Sequence, residues 1–268
     1  MHYKGYIQFM KNEFQANMAY RMNVIIRMFS YIIAVFIQIS IWHALFNGAH
    51  ETSTQMGTID INEMVTYVVI STAISLFIRN EVILQMETKI KSGEIAMDLI
   101  KPTNLKLMIF SNSLGGSAFK LIFQFIPLII VGYLFLNLTI PTPENVVLFI
   151  ITLINAVIIY FLLTYIVGLL AFWYMAIWHL ERFLGDLISL FAGAIVPLWF
   201  FPKVLLDISA VLPFHLIYFT PISIYLGKIT VSDSIYLILQ QFIWITVLIL
   251  LEKVVWKNAV NKLVVQGG

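Results

Sequence analysis

Six long apolar runs constrain this chain more than any other feature, and most of its lysines and arginines fall outside them, in the connecting stretches and at the two ends. The runs extend from about Ile25 to Phe46, Asn62 to Ile78, Ser113 to Leu136, Val146 to Trp173, Leu184 to Phe201 and Ser234 to Val255. Most approach or exceed the ~20 residues that cross a bilayer as a helix. Charged residues make up 11% of the chain, against about 25% in an ordinary soluble domain. A soluble fold would have to bury each of these helices on all sides, which a chain of 268 residues cannot do. The expected fold class is an all-α membrane protein with six transmembrane helices. It forms one transmembrane domain over 1–268: a helix over 1–24, spans one to three over 25–136 with a charged insert at 79–106, and spans four to six over 146–256.

Orientation follows from where the basic residues fall. With the N-terminus inside, the inner side holds Lys4, Lys11, Arg21, Arg27, Arg79, Lys89, Lys91, Lys101, Lys106, Lys120, Arg182, Lys253, Lys257 and Lys262, and the outer side only Lys203 and Lys228. Both termini are therefore expected in the cytosol of a multi-pass plasma-membrane protein. The net charge of +2 is too small for a nucleic-acid partner. Cysteine is absent, which excludes disulfides, thiolate catalysis and Cys-based metal sites. Met1 to Asn23 carries charges among its apolar residues and has no uninterrupted h-region, so it does not read as a signal peptide. Instead Tyr3, Ile7, Met10, Phe14 and Met18 fall at helical spacing, with Lys4, Gln8, Lys11, Asn12 and Gln15 mostly opposite. That pattern predicts an amphipathic helix on the membrane interface.

The inner insert reads RNEVILQMETKIKSGEIAMDLIKPTN. Val82, Ile83, Met86 and Ile90 share a helical face. Ser92-Gly93 breaks that helix, because glycine tolerates the positive φ of a C-cap. Glu94 to Ile100 forms about two turns, and Pro102 stops them by pushing Lys101 out of helical geometry. A short helix lying across the inner face results. Ile95, Leu99 and Ile100 are its burying positions, and Glu94, Asp98 and Lys101 give polar register to a soluble partner. An ordinary solvated loop fits the same residues equally well.

Between Gly193 and Gly227 the chain reads GAIVPLWFFPKVLLDISAVLPFHLIYFTPISIYLG. It is too apolar for a plain loop and too rich in proline (Pro197, Pro202, Pro213, Pro221) for a continuous helix. The expectation is short re-entrant helices dipping into the outer leaflet. Irregular backbone at membrane depth survives only inside protein or along a cavity, which points to the outer mouth of a path; an apolar cap that packs the bundle is the alternative. His179, Glu181, Arg182 and Asp186 gather near the inner interface and read as a structural cluster. No H-E-x-x-H, G-x-S-x-G or G-x-x-x-x-G-K-[ST] pattern occurs, so no catalytic residue, metal site or bound cofactor is assigned to this chain.

Two of these segments carry a resemblance to a known family. KSGEIAMDLIKPTN (Lys91–Asn104) and GAIVPLWFFP…LPFHLIYFTPISIYLGK (Gly193–Lys228), with the six-span layout, resemble the membrane subunit of type-2 ABC exporters, in a prokaryotic subgroup of similar length. The resemblance covers essentially the whole chain. It implies an ATP-driven export permease in the prokaryotic plasma membrane, working with two soluble ATPase subunits that bind ATP and Mg and with a second permease, identical or homologous. Gly93, Glu94, Ile95, Asp98, Leu99, Lys101 and Pro102 would match the ATPase-coupling helix. The N-terminal helix would match the interface helix. Pro197, Phe200, Phe201, Pro202, Pro213 and Phe214 would match the re-entrant outer gate beside the translocation path. The competing readings are a secondary transporter or channel without ATPase, and a membrane enzyme acting on lipids.

Overall fold

The computed structural model describes residues 3–19, 21–174 and 176–266. Met1, His2 and Tyr20, part of the expected interface helix over 1–24, lie outside the described residues, as does the side chain of Tyr3. Helix α1 (Tyr3–Ala19) leads into α2 (Arg21–Phe46), and a β-hairpin of β1 (Glu51–Thr54) and β2 (Gly57–Asp60) joins α2 to α3 (Ile61–Ile78). There follow α4 (Val82–Lys91), α5 (Glu94–Ile100), α6 (Leu105–Lys120), a π turn (Leu121–Phe125), α7 (Ile126–Phe135), α8 (Pro143–Leu169) and α9 (Trp178–Phe191). The chain closes with α10 (Lys203–Val211), α11 (Phe219–Tyr225) and α12 (Val231–Gln266).

Among the described residues, five helical stretches are long and apolar enough to cross a membrane: Ile26–Phe46, Ile61–Lys91, Leu105–Phe135, Pro143–Phe172 and Val231–Lys262. Their outward side chains, such as Phe29, Ile33, Phe36 and Ile37 on α2 and Phe242, Ile243 and Leu250 on α12, are apolar and exposed, as a lipid-facing surface requires. Helix α3 has no polar face. Met64, Val65, Tyr67, Val68, Val69 and Ile70 are all buried, so α3 forms the central post of the bundle. Its start is fixed by chemistry as well as by packing. Asp60 accepts from the N–H groups of Ile61 and Asn62, while Glu63 reaches back to the N–H of Asp60, closing a capping box.

The fifth expected span departs from the sequence reading. In place of a helix over Leu184–Phe201 stands α9, which begins at Trp178 and stops at Phe191 after 14 residues, about 21 Å at 1.5 Å per residue and short of a ~30 Å hydrocarbon core. Gly193, with φ of +72°, and then Pro197 end it. The connection between the first two spans contains the two-stranded hairpin, with Glu51 opposite Asp60 and Thr54 opposite Gly57. The third span begins earlier than expected, at Leu105, and carries the π turn just before Pro127. Pro127 has no N–H to donate, and the N–H of Ile126 instead reaches Leu121 five residues back.

Helix α1 is amphipathic, but its buried stripe is rotated from the expected one. Tyr6, Phe9, Met10, Glu13, Phe14, Asn17 and Met18 face inward, whereas Ile7 is exposed. The partner surface is α6. A Cβ placed on Gly115 would lie 2.2 Å from the carbonyl oxygen of Met10, so only glycine lets the two backbones cross here. Phe14 packs edge-on against Phe119, with ring centroids 5.8 Å apart.

Candidate functional site: a braced elbow and a buried return

At the lysine-rich end of the bundle α4 and α5 form an elbow. Val82, Ile83 and Met86 are buried, and Gly168 of α8 lets α4 close in: a Cβ there would meet Met86 Cγ at 3.1 Å and Cβ at 3.2 Å. The turn is made by Gly93 at φ of +78°, a value that side-chain-bearing residues rarely adopt. Lys101 is extended, with φ of −63° and ψ of 141°, in front of Pro102, so α5 ends where Pro102 dictates.

Asp98 braces the elbow from inside. Its side chain is 5% exposed and pairs with Lys89 of α4 at 2.6 Å and with Lys101 at 2.7 Å. Burial pushes the Asp98 carboxyl up, but the hydrogen bonds from Lys101 and Lys89 outweigh it and hold the group below its ordinary value. Ile95 is buried and Leu99 half-buried beside it. The outward face differs from the sequence expectation, which placed Ile100 inside and Asp98 outside. Ile100 is 78% exposed and Met97 is 66% exposed, one turn from Glu94 and Lys101. Pattern reasoning passed over Met97; the i, i+3 spacing of Glu94, Met97 and Ile100 was the available signal.

Three ties hold the elbow to the rest of the chain. The N–H of Asn104, just beyond Pro102, donates to the Tyr6 hydroxyl of α1 at 2.9 Å. Buried Glu87 of α4 accepts from Lys91 and, at 3.0 Å, from the N–H of Ile177 at the α8–α9 corner. Lys106 at the start of α6 pairs with buried Glu252 of α12 at 2.6 Å. The His179–Asp186 cluster plays no part in these ties. Among the described residues Glu181, Arg182 and Asp186 form no ion pair.

The second site lies at the opposite end. Beyond α9 the chain runs without regular hydrogen bonding, and three side chains from other helices meet three successive carbonyls. Tyr67 donates to Gly193 O at 2.7 Å, Ser71 to Ala194 O at 2.6 Å and Gln38 to Ile195 O at 2.9 Å. Trp199 then packs edge-to-face between Tyr67 and Phe219, at 5.2 Å from each ring, and Phe200 packs on Trp42 at 5.0 Å. Helix α10 descends and α11 climbs back, forming a U. Gln240 donates to Ala210 O at 3.1 Å, and Gln241 donates to Leu216 O at 3.1 Å and Thr152 O at 3.0 Å while accepting from Asn155 at 3.0 Å. Gln241 is ten residues into α12, which puts the bottom of the U about 15 Å along that helix. The U is closed at its rim by Lys228, which pairs with Glu63 at 2.7 Å. Of the residues expected at an outer gate, Pro197, Phe201 and Pro213 are buried, Phe200 and Phe214 half-buried, and Pro202 is exposed at the head of α10.

The family model described as ABC-2 family transporter protein matches residues 32–267. The chain belongs to that family. A search of the curated proteins and a search of the solved structures each return no match. Membership makes the chain a membrane-embedded, multi-pass transport component of the ABC type. Both segments described above lie within the matched stretch.

Proposed function

We propose that this ABC-2 family chain is the permease subunit of an ATP-driven exporter and that α5 is its docking element for a separate ATPase. The observation that carries the reading is the two-sided character of α5. Its inner side is locked by Asp98 and Ile95, and its outer side offers Met97 and Ile100 flanked by Glu94 and Lys101. A solvated loop has no need of an internal double ion pair, nor of two large apolar side chains held outward. Such a face fits an apolar groove with a polar rim on a soluble partner. Force applied there passes through Asp98 to α4, through Glu87 to the α8–α9 corner and through Asn104 to α1.

In this reading the lysine-rich end and both termini are cytosolic, in the plasma membrane of a prokaryote. The chain crosses six times, the fifth crossing being α9 plus the carbonyl-satisfied segment above it. The α10–α11 U is a re-entrant hairpin at the outer mouth, consistent with irregular backbone at depth being enclosed by protein. The path lies at the interface of two permeases, identical or homologous, above two ATPase subunits that bind ATP and Mg. This chain contributes no covalent chemistry.

The test is co-expression with candidate P-loop ATPase subunits from the same genome. Met97→Asp with Ile100→Asp should reduce copurification of the ATPase at least tenfold and abolish transport-linked ATP hydrolysis, with the melting temperature of the permease unchanged. Wild-type copurification and hydrolysis in that variant would remove α5 from the coupling role.

A further inference from the structure

We propose that the lysine-rich end of the bundle holds a binding site for a phospholipid whose headgroup carries both a phosphate and a primary ammonium. The headgroup occupies a cavity of about 500 Å³ between α1, α2, the α3–α4 joint, α4, the head of α5 and α6 with its π turn. One acyl chain lies in a separate apolar groove of about 190 Å³ between α2, α3 and α7. The site shares Glu94 with the proposed docking helix, but lipid binding is read on the permease without any ATPase, so the two proposals fail separately.

The cavity is lined by charges of both signs: Arg27, Arg79, Lys120 and the Asp98-paired Lys89 on one hand, Glu13, Glu81 and Glu94 on the other. Among the described residues neither arginine forms an ion pair, and neither does Glu81. Lys120 is oriented by donating to the carbonyl of Arg79 at 2.7 Å, and Glu81, Arg27 and Glu13 are the charges that act on its ammonium. Gln124, in the π turn, is only 6% exposed, lines the same cavity and makes no side-chain hydrogen bond with the described residues. A buried amide costs stability unless it finds a partner.

An inorganic anion would leave Glu13 and Glu81 repelled, and a simple cation would leave the arginines and Lys120 unmatched. A zwitterion satisfies both sets. A phosphate suits the guanidinium groups and Lys120, and an ammonium with N–H donors suits Glu81 and the Gln124 carbonyl.

The apolar groove stands in the right place for the tail. On α2 the step from Arg27 to Val35 is eight residues, about 12 Å; from Gln124 to Val131 it is seven, about 10 Å; from Arg79 back to Val69 on α3 it is ten, about 15 Å. All three steps lead the same way, from the polar cavity toward the membrane interior. The groove is lined by Ile32, Val35, Phe36, Val69, Leu128 and Val131 among others, with no polar surface.

The experiment uses the full chain in mild detergent, with lipid retention counted by native mass spectrometry. The expected result is one phosphatidylethanolamine retained per chain, at least fivefold over phosphatidylcholine and phosphatidylglycerol. Glu81→Gln should erase the preference for ethanolamine over choline. Arg27→Gln with Arg79→Gln should lower retention of both at least fivefold. Val131→Trp, which fills the groove, should release the lipid, whereas Leu134→Trp, on the same helix but 70% exposed, should not. Glu81 is exposed on a joint between helices, so its variant folds and carries the decision. Equal retention of the three lipids, or an undiminished ethanolamine preference in Glu81→Gln, would overturn the headgroup site. Free glycerophosphoethanolamine displacing the lipid at equal concentration would overturn the role of the groove.

Discussion

The elbow and the return hairpin are both bent, proline-stopped segments, yet they are held by opposite means. The elbow is fixed by charges: Asp98 between Lys89 and Lys101, Glu87 with Lys91, and Lys106 with Glu252. The hairpin is fixed mainly by neutral groups: the amides of Gln240, Gln241 and Asn155, the hydroxyls of Tyr67 and Ser71, and edge-to-face aromatic rings. The difference follows the surroundings. At the lysine-rich end the ammonium groups keep access to water, and each buried carboxylate is offset by a close ammonium partner. Among α3, α8 and α12, a charge would be expensive and an amide is affordable. One end therefore responds to salt and pH through its braces, while the neutral brace at Gln241 does not.

The largest effect that would break this contrast belongs to Gln241→Leu. It strands the Asn155 donor and the Leu216 carbonyl in an apolar site. The expected loss is roughly 2–4 kcal/mol, read as a fall in melting temperature that 0.5 M salt leaves unaltered. Asp98→Asn comes next, at about 1–3 kcal/mol, because a buried acceptor of two ammonium groups loses its charge. Its loss should shrink in high salt, which screens what remains of the pair. Wild type should show the matching pH dependence. The folded Asp98 carboxyl lies below its unfolded value, so its stabilisation is complete above that value, ~3.9, and disappears as pH falls through the folded value. Melting curves below pH 4 should be steeper for wild type than for Asp98→Asn; parallel curves would deny the brace. The smallest effect is Lys228→Ala. The Lys228–Glu63 pair is part-exposed at the hairpin rim, and its loss should cost under about 1 kcal/mol.

Much of the architecture was legible because apolar runs of span length have few alternatives. The insert was legible in detail: Gly93 and Pro102 bound α5 where a glycine cap and a pre-proline stop require. The fifth span misled because Pro197 and Gly193 sit inside a run that hydropathy alone reads as continuous, while His179, Glu181 and Arg182 hid the true start of α9. The rotated stripe of α1 was out of reach, since it depends on the crossing at Gly115, a contact over a hundred residues away. The inversion of Asp98 and Ile100 has the same cause. Periodicity places both on a helix, but only the lysines on α4 and next to Pro102 decide which side faces in. The position of Gln241 inside the last apolar run is plain from the sequence, but its partners Thr152, Asn155 and Leu216 come from other segments that only the fold brings together.

The break between α3 and α4 has a mechanical consequence. Helix α3 ends at Ile78, Arg79 is extended at ψ of 127°, and α4 restarts at Val82. The central post thus carries a joint at its foot, and the ten residues of α4 form an arm of about 15 Å hanging from it. Turning that arm by about 10° carries its tip, at Gly93, through roughly 2.6 Å while α3 stays seated. A stroke of that size exceeds the reach of a single hydrogen bond, so the ties at Lys89, Glu87 and Asn104 set how far the arm swings before the whole bundle is pulled along with it.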